Sequence, residues 1–67
     1  MMYNQFENTL RQLEICNTHI DNATDNGMSL DKFKATLLTS YERDSFVKLR
    51  EHCARFVALY DEMDTIP

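Results

Sequence analysis

Four residues have types and spacings that could do chemistry together: Cys16 and His19 in a C-x-x-H pattern, and the adjacent pair His52 and Cys53. Two thiols and two imidazoles are a donor set for tetrahedral zinc, provided two antiparallel helices bring them to one height. Helical geometry opposes that site. Neighbouring residues on a helix point about 100° apart, so His52 and Cys53 face different directions, and His19 points away from the apolar stripe of its own segment. Nucleophilic catalysis by Cys53 would need a base within hydrogen-bond reach, an oxyanion site and a pocket. No Gly-rich loop or strand–helix junction is present to supply a phosphate or oxyanion cradle. The reading is therefore no catalytic residue, no metal and no cofactor. Cys16 and Cys53 are expected to be free thiols packing as small hydrophobes rather than a disulfide. A small metal-organised domain built on Cys16, His19, His52 and Cys53 is the alternative from another functional class.

Three weaker patterns resolve the same way. Placing Gly27 at the sixth position of a calcium loop puts Asn22, Thr24 and Asn26 at positions one, three and five, and Phe33 where a bidentate Glu belongs. That set lacks the charge calcium requires. Asp61, Glu62 and Asp64 read as a solvated helix end rather than an acid–base pair. Asn22-Ala23-Thr24 matches a glycosylation sequon without a secretory signal beside it.

The elements that must position these residues are helical. Phe46, Leu49, Cys53, Phe56, Tyr60 and Met63 alternate in steps of three and four, the period of one apolar seam on a long helix at about 41–63. With Val57, His52 and Leu59 added, the apolar face spans about 160°, wider than one neighbouring helix covers. A first stripe runs from Tyr3 through Phe6, Leu10, Leu13, Asn17, Ile20 and Thr24, with Met2 and Cys16 at its margin, on a helix of about 3–24. It weakens after Cys16, where Asn17, Thr18, Asp21 and Asn22 are poor interior helix residues. Ile15 lies half a turn from this stripe, with His19 near it, and is a candidate contact residue.

Asp25-Asn26-Gly27 signals a helix stop and Ser29 a restart, with Met28 and Phe33 placed as a hydrophobic staple. Leu30, Phe33, Leu37 and Leu38 then give a short helix of about 30–38. Were it continuous with the last helix, Leu37 and Phe46, nine residues apart, would face opposite ways. Thr39 and Glu42 also fit a capping box, so a break is expected near Thr39 and Ser40. Glu7–Arg11, Asp44–Lys48 and Glu51–Arg55 have the spacing of supportive ion pairs.

Composition narrows the class. Among 67 residues there are two cysteines, one glycine and one proline, which excludes a disulfide scaffold and a turn-rich β fold. No apolar run approaches the roughly 20 residues of a membrane span, and a cytoplasmic setting is expected. A net charge of −4, with the basic residues scattered, disfavours direct contact with nucleic acid or anionic membrane and leaves protein as the natural partner.

One resemblance has a specific implication. Leu13, Cys16, Thr18, Ile20 and Asp21, then Glu42, Phe46, Glu51-His52, Asp64, Ile66 and Pro67 resemble the Hha family of small helical proteins that modulate bacterial nucleoid-associated proteins. The match requires gaps around Asp25 to Met28, departs from the family pattern after His52 and does not include its C-terminal segment. It implies an acidic modulator that binds, through residues such as Glu51, a partner that itself binds DNA.

The sequence as a whole predicts a single all-α domain, a long-short-long three-helix bundle that is dimeric because the chain is too small to cover its own apolar face. The expected function is non-enzymatic: a regulatory protein that binds itself and another protein, of a kind frequent in phages and mobile elements. Its interface candidates are Phe46, Leu49, Phe56, Leu59, Tyr60, Met63 and Ile15.

Overall fold

The computed structural model describes residues 4–67, which form α1 (Gln5–Asp25), α2 (Leu30–Ala35) and α3 (Ser40–Asp64), with no strand among them. The order is long, short, long, as the periodicity predicts. Met2 and Tyr3, where the first stripe begins, lie outside the described residues. The chain divides into two compact units, one ending at Phe33 and the other running from Lys34 to Pro67.

In the first unit, α1 runs on through its weak second half to Asp25. Thr18 and Thr24 donate their hydroxyls to the carbonyls of Glu14 (3.0 Å) and Ile20 (2.9 Å), and Asn26 Nδ2 donates to Asn22 O (2.9 Å). Side chains that compete with helix elsewhere are here occupied by the carbonyl one turn back. The ends of α1 differ. Its N-cap, Asn4, takes a left-handed conformation (φ 56°) and makes no side-chain cap. At the other end Gly27 N–H reaches Thr24 O (2.9 Å) and Met28 N–H reaches Ala23 O (3.0 Å), the paired bonds of a Schellman motif with Gly27 at φ +73°. Ser29 Oγ then accepts from Lys32 N at 3.3 Å and starts α2.

Helix α2 ends at Ala35 and does not reach Leu38. The reason lies in the segment from Leu37 to Arg43. Leu37 N–H bonds to Lys34 O at 3.1 Å, a tightened last turn, and Arg43 reaches back six residues to place Nη1 on Leu37 O at 2.8 Å. Thr39 is extended (φ −125°, ψ 157°), and its hydroxyl accepts from Glu42 N at 3.0 Å as the N-cap of α3. Leu38, read from the sequence as part of the short helix's apolar face, is instead 95% exposed. The break before α3 falls where the capping pattern puts it. Helix α3 then runs 25 residues and closes on Thr65, whose hydroxyl donates to Glu62 O at 2.7 Å.

Among the described residues none is buried. Leu13, Cys16, Ala23, Phe33, Leu37, Phe46 and Cys53 are half-buried. Within either unit, no two described residues twelve or more positions apart bring their Cα atoms within 8 Å. Each unit by itself is one helical layer with a local corner, and a layer with an apolar stripe is stable only against a second layer.

Candidate functional site

The two cysteine–histidine pairs divide between the units, Cys16 and His19 on α1 and His52 and Cys53 on α3. In each pair the thiol is free and half-buried while the histidine is exposed. The adjacent pair diverges by the roughly 100° step of a helix, whereas Cys16 and His19, three apart, are only about 60° apart, and the histidine falls on the solvent side of a thiol already at the margin of the stripe. Among the described residues no group of three or more His, Cys, Asp or Glu side chains gathers to hold a metal ion, and no buried side-chain polar atom lacks a partner.

The apolar candidates form a continuous surface on α3. Leu49 is 43% exposed, Phe56 56%, Tyr60 65% and Met63 72%. From Phe56 onward exposure rises toward the C-terminal end of the helix, while Phe46 and Cys53 on the same seam are half-buried. Val57 and Leu59 flank the seam and are also exposed, so the open face has the width inferred from the 100° steps. On α1, Phe6 and Leu10 are the most open stripe residues, and Ile15, outside the stripe, is exposed.

The corner between α1 and α2 holds a feature the periodicity alone does not reveal. Ile20, Ala23, Thr24, Met28, Ser29, Leu30 and Phe33 line a shallow hollow of about 150 Å³. Its origin is local. The Schellman turn folds Met28 back toward the last turns of α1, and the staple positions place Met28 and Phe33 together. The staple was the available signal; the contribution of Ile20 from the preceding helix was not visible in it.

The charges are arranged unevenly. Neither long helix has a basic residue in its last turn. Helix α1 carries Asp21 and Asp25 toward its C-terminal end, and α3 carries Asp61, Glu62 and Asp64 there. Carboxylates at the negative end of a helix dipole are unfavourable unless a cation answers them. Glu7 and Arg11 form an exposed ion pair at 3.1 Å. Asp44–Lys48 and Glu51–Arg55 have the same spacing but form no ion pair among the described residues.

No protein-family model matches the chain, and neither a curated protein nor a solved structure is similar to it. The residues shared with the Hha pattern therefore carry no family assignment. No helix among the described residues is long and apolar enough to cross a membrane.

Proposed function

We propose that this chain is a non-enzymatic interaction protein whose apolar helix faces are covered by protein, first by a second copy of itself in a helical bundle. One observation carries the reading: α3 presents Leu49, Phe56, Tyr60 and Met63 along one open face, in a chain with no buried residue among those described. Large aromatic and aliphatic side chains in a contiguous stripe are the composition of an interface core. Sedimentation equilibrium at tens of micromolar tests it. A species of twice the 7.9 kDa chain mass is expected. A clean monomer that still melts cooperatively would overturn the proposal.

A second reading is favoured by the acidic helix ends. With Asp61, Glu62 and Asp64 on one end of α3 and Asp21 and Asp25 on one end of α1, the protein has surfaces suited to a basic partner such as a DNA-binding protein. That complex would weaken as salt rises from about 0.05 M to 0.5 M. A salt-independent affinity would remove this reading and leave the apolar interface standing.

A further inference from the structure

We propose that α3 pairs antiparallel with α3 of a second copy, the two-fold axis passing between Cys53 and Phe56; the inference rests on the self-association proposed above and adds its orientation. Two independent properties of the helix support it.

The first is volume. About an axis between Cys53 and Phe56, the seam Phe46, Leu49, Cys53, Phe56, Tyr60 and Met63 matches Phe46 with Met63, Leu49 with Tyr60 and Cys53 with Phe56. Each layer then joins a larger side chain to a smaller one, so layer volumes vary less than in a parallel pair, with the Cys53–Phe56 layers at the centre the smallest. A parallel pair would set Cys53 against Cys53 and Phe56 against Phe56. Gaps and crowding would alternate along the seam.

The second is charge. The N-terminal half of α3 sets Arg43, Lys48 and Arg50 against Glu42, Asp44 and Glu51 and is balanced in charge, whereas Asp61, Glu62 and Asp64 lie at the C-terminal end, where no basic residue stands. Antiparallel pairing keeps the two acidic ends apart and sets each beside the other copy's balanced half, which offers cations. In heptad terms the residues flanking the seam then meet as Arg43 with Asp64 and Arg50 with Val57, so that the Arg50 stem covers an exposed apolar neighbour. Arg43 already gives Nη1 to Leu37 O, and a guanidinium has five donors, leaving others for a carboxylate. A parallel pair would crowd six carboxylates together at one end and align the helix dipoles.

Spin-label distances decide the orientation. A Ser45→Cys label in a Cys16→Ser, Cys53→Ala background sits about 30 Å from its counterpart if the helices are antiparallel and under about 20 Å if they are parallel, at 1.5 Å per residue. The long distance is expected. A dimer with the short distance overturns the orientation alone, whereas a wild-type monomer by sedimentation overturns the self-association beneath it. Should the labelled background fail to associate, charge exchange with both cysteines intact decides between the orientations. Asp64→Arg should weaken the dimer about fivefold, and Arg43→Asp combined with it should restore the affinity. Additive losses in the double variant would contradict the proposal.

Discussion

The corner from Ile20 to Phe33 and the distal half of α3 are both rich in apolar side chains, but only the corner closes on itself. There, Gly27 in the left-handed region, the Schellman bonds to Ala23 and Thr24 and the Ser29 cap bring Ile20, Met28 and Phe33 around one hollow. From Phe56 to Met63 the chain is a plain helix, and the large side chains of its seam are more than half exposed. The contrast separates two kinds of information. Turn and cap chemistry acts across a few residues and is satisfied within the chain, while a 3.6-residue stripe only states that another surface is needed.

Substitutions that break this contrast should differ in kind as well as size. The largest effect is expected from Phe56→Asp, which puts a charge in the middle of the open seam. It should raise the dissociation constant of the dimer at least a hundredfold by sedimentation, and Phe56→Ala should cost about 3 kcal/mol per copy if the ring is buried on association. Next is Gly27→Ala. A Cβ there meets nothing within 4 Å, so the cost is the positive φ alone, about 1 kcal/mol, read as a lower melting temperature with unchanged stoichiometry. Thr39→Ala should cost a similar or smaller amount, about 1 kcal/mol, through loss of the bond to Glu42 N. Arg11→Ala should be smallest, about 0.3 kcal/mol, because its pair with Glu7 is exposed. An Arg11 effect as large as that of Phe56 would erase the distinction between local and shared stabilisation.

The same division separates the legible residues from the silent ones. Gly27, Ser29 and Thr39 announce their own roles, because each acts on backbone groups two to four positions away. The end of α2 was not legible: Thr36-Leu37-Leu38 contains no Gly or Pro, and the stop comes from the demands of the next cap and from Arg43 reaching Leu37 O. The persistence of α1 past Cys16 was equally hidden. Propensity counts Thr18 and Thr24 against the helix; their hydroxyls are satisfied at Glu14 O and Ile20 O without stabilising it, and what places the end is the Schellman stop at Gly27. As for the candidate surface, the seam from Phe46 to Met63 is fully visible as a period. What covers it is not, since complementarity between surfaces leaves no periodic trace in one chain.

The most direct test of a face completed by a second chain is the concentration dependence of thermal unfolding, followed by far-ultraviolet circular dichroism from about 1 to 100 µM. A helix layer held by association should melt at higher temperature as concentration rises, because mass action stabilises the dimer. A cooperative transition at the same temperature across that range would show that the chain stabilises its own apolar face, and would contradict the account.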